Sequence, residues 1–129
     1  MDTTASPYFR TVVRSLGEQA PMMAAEGVLI LFGEPCPEAL AEVSVVHGAW
    51  SMAEGREPRP GDRIRIGERE LPLHAVGEIA GKNLRELGHI VLYRYLEDGP
   101  GLLPGAIHVD GDLPIPEPGD VIELLAGEG

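Results

Sequence analysis

The chain has 129 residues, the size of one ordinary domain, and 43% of them are hydrophobic, as is typical of a globular protein. Its formal net charge of −11 disfavours nucleic acid and anionic membrane surfaces as partners, because both repel an acidic protein. The single cysteine, Cys36, excludes an intrachain disulfide. The sequence has no signal-peptide pattern and no apolar run of membrane-spanning length, so we expect one cytoplasmic domain over residues 1–129 without direct membrane insertion.

Glycine and proline are abundant, at 17 and 12 residues, which disfavours long helices and favours short strands joined by turns. Alternating or β-branched apolar runs predict strands in chain order at residues 8–16, 28–32, 43–46, 63–66, 71–76, 90–96, 106–109 and 121–125. The spacing predicts an all-β fold, a small single-domain barrel or sandwich of about eight mostly antiparallel strands.

One or two short helical turns interrupt this pattern. Pro37 is suited to begin a turn over residues 38–42. A second turn is expected near residues 80–88, where Asn83 and Glu86 have the spacing of a capping box and Gly88 is placed to end the turn. Residues 48–60 are predicted to form a loop, which leaves His47 at the end of a strand. Pro-Gly-Asp occurs at 60–62 and at 118–120, and we interpret it as reused turn chemistry rather than an internal repeat.

Candidate chemical groups are few. Cys36 lies between two prolines and is interpreted as a small packing residue. The sequence has no G-x-S-x-G elbow, no phosphate-binding P-loop motif and no zinc-ligand spacing, so no metal and no cofactor is expected. The histidines His47, His89 and His108 each lie at a predicted strand end or beside a glycine-rich turn. A neutral imidazole can carry a phosphoryl group, although composition and spacing alone do not select this function.

Three segments resemble a known family. Residues 75–90, AVGEIAGKNLRELGHI, resemble the stretch A-V-G-x-[VI]-A-x-x-N-L-R-E-L-G-H-[VI] of sorbitol (glucitol)-specific IIA components of the bacterial sugar phosphotransferase system. Residues 104–109 resemble that family's P-G-x-[VI]-H-V, and residues 45–47 match the end of the strand that carries its phosphorylated histidine. The resemblance implies a small all-β barrel or sandwich that takes a phosphoryl group from phospho-HPr and passes it to the IIB component of a sorbitol, or related polyol, permease. It implies that His47 carries the group, with His89 and His108 as supporting groups by motif position.

The sequence also departs from that family after His47. Enterobacterial members have a second histidine two residues later, where this chain has Ala49 followed by a longer loop. A second hypothesis is therefore a non-catalytic regulatory or binding module that kept the fold. An exposed His47 beside unpaired donors would favour the phosphocarrier, and a buried, hydrogen-bonded His47 would favour the module. A third hypothesis, a small-ligand-binding barrel, requires a sizeable apolar cavity.

Overall fold

The computed structural model describes residues 6–127, which form one closed barrel. The strands are β1 (Pro7–Leu16), β2 (Val28–Gly33), β3 (Ser44–Met52), β4 (Arg63–Ile66), β5 (Arg69–Val76), β6 (Ile90–Arg94), β7 (Ala106–Val109) and β8 (Val121–Leu125). The helices are α1 (Ala20–Ala25), α2 (Glu38–Ala41) and α3 (Ala80–Leu87). The predicted all-β class and strand number are confirmed, but α1 was not expected, since Pro21 and the short apolar run gave no helical period.

The strands close in the order β1-β3-β2-β6-β7-β5-β4-β8. Two of the pairings, β2 with β3 and β6 with β7, are parallel. The others are antiparallel, which agrees with the mostly antiparallel arrangement expected from the sequence. Alternation explains which side chains enter the barrel: Ile64 and Ile66 are buried in the core, whereas Arg63 and Arg65 between them are partly exposed on the outside.

The barrel has an internal two-fold relation between its halves. The order β1-α1-β2-α2-β3-β4 is repeated as β5-α3-β6-β7-β8, without an equivalent of α2. Exchanging the equivalent strands leaves their order around the barrel unchanged. Ile30 pairs with Val91 and Arg65 pairs with Glu123 where equivalent strands of the two halves meet. The two Pro-Gly-Asp turns precede the equivalent strands β4 and β8. The prediction that they are no more than reused turn chemistry is therefore wrong, because they belong to a repeat of tertiary structure.

Equivalent glycines mark the same turn in each half. The backbone N–H of Gly17 donates to Ser44, and that of Gly77 donates to Ala106. A Cβ at either glycine would collide with carbonyl oxygens of the segment leading into β3 or β7. The motif Gly-Glu-x-Ala at 17–20 and 77–80 thus recurs because the chain passes close to another backbone at both places.

Two local expectations near the site need correction, and a third is confirmed. Strand β3 runs on to Met52, so His47 lies inside a strand rather than at its end. Helix α3 has Ile79 at its N-cap without a side-chain cap, so the capping box predicted at Asn83 is wrong. Gly88 does end α3 in the left-handed conformation, with φ +65°, as predicted. Over residues 6–127, none of the helices is both long and apolar enough to cross a membrane.

Candidate functional site

His47 points into the barrel. It lies two residues after the core residue Val45 on β3, and none of its surface is exposed. The Phe9 and Trp50 rings meet its imidazole edge-on, with centroids 6.3 and 5.5 Å away. The strand end predicted for His47 is therefore not observed, because β3 continues past it. The ring is buried and hydrogen-bonded, which is the outcome that the sequence analysis associates with a regulatory or binding module.

Both ring nitrogens of His47 have polar neighbours. Nε2 lies 2.7 Å from the carbonyl oxygen of Gly88, and Nδ1 lies 2.6 Å from the hydroxyl oxygen of Thr11. Because a carbonyl only accepts hydrogen bonds, the Gly88 contact requires hydrogen on Nε2. The Thr11 hydroxyl is also 3.0 Å from the carbonyl oxygen of Gly48, so its single hydrogen can be donated either to that oxygen or to Nδ1. A neutral His47 with hydrogen on Nε2 therefore has its lone pair on Nδ1, toward Thr11.

The surroundings favour the neutral imidazole. Burial lowers the pKa of His47 below its usual value, while the Gly88 carbonyl and the nearby Glu34 carboxylate partly oppose this shift. Glu34 is itself paired with Arg14, with Nε and Oε1 3.7 Å apart, on the exposed surface. A neutral imidazole keeps a lone pair, which is the requirement for nitrogen to act as a nucleophile.

Glycines allow neighbouring groups to pack closely around the His47 ring. A Cβ on Gly88 would lie 2.8 Å from Cε1 of His47, and one on Gly33 would lie 2.5 Å from the indole of Trp50. A Cβ on Gly48 would collide with the Glu34 carboxylate. Gly33, Gly48 and Gly88 are all buried, and their lack of side chains lets backbone, the Trp50 ring and the Glu34 carboxylate pack closely around this region.

Ala49 and Trp50, which follow His47 and Gly48 on β3, also lie in this region. The Trp50 indole N–H donates to the Arg85 carbonyl oxygen at 3.4 Å, so the ring bridges β3 and helix α3. Ala49 has φ +57°, where the pairing of β1 with β3 shifts register between Arg10 and Val12. This bulge places one extra residue of β3 opposite Thr11 and follows directly on His47 and Gly48.

His89 lies beside the site and His108 does not. His89 follows Gly88, donates from Nδ1 to the Leu31 carbonyl oxygen at 3.1 Å, and packs on Phe32 with ring centroids 4.7 Å apart. It thus belongs to the loop that covers His47, without contacting the His47 ring through a hydrogen bond.

The structure does not bring His108 to His47, contrary to expectation. Ile107 and Val109 of β7 belong to the core, so His108 between them faces outward, and strands β2 and β6 separate β7 from β3. There it packs between Tyr93 and Tyr95, with ring centroids at 5.9 and 6.1 Å. Burial lowers its pKa, as does the nearby His74. The position of His108 in the family motif did not reveal which face of β7 it lies on, because neighbouring residues of a strand face opposite ways.

Thr11 is the residue that the sequence analysis missed. In the two-fold relation, Thr11 of β1 corresponds to Leu71 of β5, and His47 of β3 corresponds to Val109 of β7. All four are buried, but only the first pair is polar. Aligning the two halves by their Gly-Glu-x-Ala motifs places Thr11 against Leu71 and would have found it.

A cavity of about 370 Å³ lies elsewhere, and its lining includes Arg56, Arg59 and Asp62. The Asp62 carboxylate accepts hydrogen bonds from Tyr8 at 2.7 Å and from Arg56 at 2.9 Å. These charged groups do not form the apolar cavity that the small-ligand hypothesis requires.

Comparisons with known proteins identify the family and support the fold. The profile of the family described as "PTS system glucitol/sorbitol-specific IIA component" matches residues 8–123. Glucitol/sorbitol-specific EIIA components of Shigella flexneri and of Escherichia coli strain K12 are each 32% identical over 119 residues, covering 90% of this chain and 93% of theirs. The crystal structure of a PTS system IIA component from Enterococcus faecalis V583 shares the fold, with a TM-score of 0.77 and 24% identity over 91% of this chain and 99% of that one. The chain therefore belongs to the family of glucitol/sorbitol-specific IIA components, the phosphocarriers of the phosphotransferase system.

Proposed function

We propose that His47 carries the phosphoryl group, which it receives from phospho-HPr and passes to the IIB and IIC components of a sorbitol or related polyol permease. The reaction takes place in the cytoplasm. The excess of acidic side chains on this chain would suit basic docking surfaces on those partners.

The polar pair Thr11 and His47 carries this proposal. At the equivalent place in the other half, Leu71 and Val109 fill the barrel with apolar side chains. The fold thus packs this position without polar groups, and burying an imidazole and a hydroxyl there has a desolvation cost. Chemistry at the imidazole explains why one half keeps them.

Nε2 is the nitrogen that takes the phosphoryl group. Nδ1 faces Thr11, which is fully buried on β1, a strand paired on both sides. Nε2 faces Gly88, which is buried but lies in a short loop between α3 and β6, next to Leu87, which is 49% exposed. Turning the Gly88 carbonyl outward uncovers Nε2 without breaking the barrel. A buried resting His47 is thereby compatible with transfer, provided that this loop opens when a partner docks.

His89 is the supporting group in this proposal. It is next to the carbonyl that must move, and its Nδ1 is already held by Leu31. Because Nδ1 donates to Leu31, the other ring nitrogen of His89 donates to phosphoryl oxygens only when the ring is an imidazolium. In that form it would stabilise the charge spread over those oxygens once the loop has opened.

The test is phosphorylation with phosphoenolpyruvate, enzyme I and HPr, followed by intact mass and acid treatment. We expect one acid-labile phosphoryl group on the parent protein and none on His47→Gln. His74→Gln is the matched control and should be phosphorylated like the parent, because His74 lies on the outside of β5. If the folded parent takes up no phosphoryl group, the chain is the regulatory or binding module instead. If His47→Gln is phosphorylated, another residue carries the group.

A further inference from the structure

We infer that Thr11 is a positioning residue that holds a hydrogen on Nδ1 of His47 during phosphoryl transfer, so that Nε2 presents its lone pair. This inference rests on the proposed function of His47. Among the described residues, the hydrogen bonds of the Thr11 hydroxyl are with His47 and Gly48 alone.

Counting hydrogens shows how many of these contacts each protonation state of His47 can satisfy, although burial still favours the neutral ring. Three contacts join Thr11 to Gly48, Thr11 to His47, and His47 to Gly88, at 3.0, 2.6 and 2.7 Å. Each needs one hydrogen. A neutral imidazole and one hydroxyl supply two hydrogens, and only the imidazolium supplies the third. The network therefore satisfies a positively charged ring completely, whereas a neutral ring leaves one contact without hydrogen.

The Thr11 hydroxyl can serve two states because it has two acceptors. In the resting neutral ring, Nε2–H donates to Gly88 and the hydroxyl turns to donate to Nδ1. Once the Gly88 carbonyl has moved, solvent that reaches the ring accepts the Nε2 hydrogen and supplies one proton to Nδ1, so the neutral ring changes tautomer with no net change of charge. The hydroxyl then donates to Gly48 and accepts from Nδ1–H. Both states keep the buried hydroxyl hydrogen-bonded, which a buried polar group requires.

The transfer step balances with Thr11 in this role. The Nε2 lone pair forms the new N–P bond while the N–P bond of the donor phosphohistidine breaks, and that bonding pair returns to the donor's imidazole. His47 keeps its Nδ1 hydrogen, and positive charge grows on its ring. A hydrogen bond from a charged donor is about twice as strong as a neutral one. Nδ1–H to Thr11 therefore strengthens as the bond to phosphorus forms, and the reverse step toward the permease uses the same contact.

The effect of Thr11 on His47 can be measured separately from the effects of the charged groups near the ring. Glu34, from the segment after β2, is the acidic group that acts on the His47 ring, and Arg14 of β1 pairs with it. His89, on the loop before β6, is the closest other titratable side chain in sequence to Gly88. None of these contacts Thr11 through a hydrogen bond, so a change at Thr11 leaves the charged groups in place.

The experiment compares Thr11→Val, which removes the hydroxyl at similar volume, with Thr11→Ser, which keeps the hydroxyl and loses a methyl group. In the unphosphorylated proteins, ¹⁵N NMR titration of His47 measures the protonation constant. The charged ring loses about one neutral hydrogen bond more than the neutral ring, so we expect an approximately fivefold lower constant in Thr11→Val. Thr11→Ser should be within about twofold of the parent.

Single-turnover phosphorylation is then measured on the same proteins. We expect about a 10- to 100-fold slower rate in Thr11→Val and recovery of most of the rate in Thr11→Ser. An unchanged protonation constant in Thr11→Val, or equal slowing in both variants, would overturn the inference, because packing alone would then explain the effect. The titration needs no phosphoryl transfer. It therefore separates failure of the Thr11 role from failure of the proposed function, which His47→Gln tests.

Discussion

Gly88 and Gly27 offer a paired test of how closely the covering loop fits the His47 ring. The two glycines occupy equivalent places in the two halves, each after a helix, with φ +65° and +93°. A Cβ on Gly88 would lie 2.8 Å from Cε1 of His47 and 2.9 Å from Cα of Gly33. A Cβ on Gly27 would make an ordinary contact, 3.5 Å from Cβ of Arg94.

The magnitudes follow from these contacts. Alanine with a positive φ costs about 1–2 kcal/mol at either position. Overpacking at Gly88 adds about 1–3 kcal/mol, because neither the ring nor the Gly33 backbone can retreat freely. We expect Gly27→Ala to lose about 1–2 kcal/mol of unfolding free energy and Gly88→Ala about 2–5 kcal/mol. Displacing the His47 ring should also slow its phosphorylation about 100-fold in Gly88→Ala alone.

Urea unfolding gives the two free energies, and single-turnover phosphorylation by phospho-HPr gives the two rates. Rates are compared at a temperature where both variants remain folded by circular dichroism. Equal losses of stability in both variants would refute the close fit, and a parental rate in Gly88→Ala would refute the role of this loop in transfer.

Asp62→Ala should lose about 3–5 kcal/mol of unfolding free energy in urea, because the partly buried Arg56 then has no carboxylate partner. Asp120→Ala, at the equivalent turn, should lose about 1 kcal/mol. Equal losses would contradict this difference. Burial would raise the pKa of Asp62, but hydrogen bonds from Gly127, Tyr8, Arg59 and Arg56 hold it below its usual value. For His47, the lowered pKa means that the unfolded chain binds the proton first. Its contribution to stability is full above about pH 6.5 and is lost as pH falls below that value, by at most about 1.4 kcal/mol per pH unit. His47→Gln should therefore weaken the loss of unfolding free energy between pH 7.5 and 5.5, and an identical loss in parent and variant would be inconsistent with the buried neutral ring. His89→Gln should be phosphorylated more slowly, and His108→Gln at the parental rate; the opposite order would show that the outer face of β7 takes part.

The strands were predictable because their signal is local. Alternation at Arg63–Ile66 and the β-branched run beginning at Ile90 depend only on neighbouring residues, and both strands formed where expected. The αL turn at Gly88 was predictable for the same reason. The end of β3 was not, because Gly48 reads as a breaker in isolation, while pairing with β1 carries the strand on to Met52.

The sequence identified His47 as the candidate acceptor, from the strand that leads into it and from the family motif downstream. Its surroundings came from tertiary structure. Thr11 is 36 residues before His47 and Gly88 is 41 residues after it, and no local period links such positions. Only closure of the barrel and the register of β1 with β3 bring them to the ring. The register of β7 with β5 and β6 likewise sends His108 to the outer face, since one step along a strand reverses the direction of a side chain.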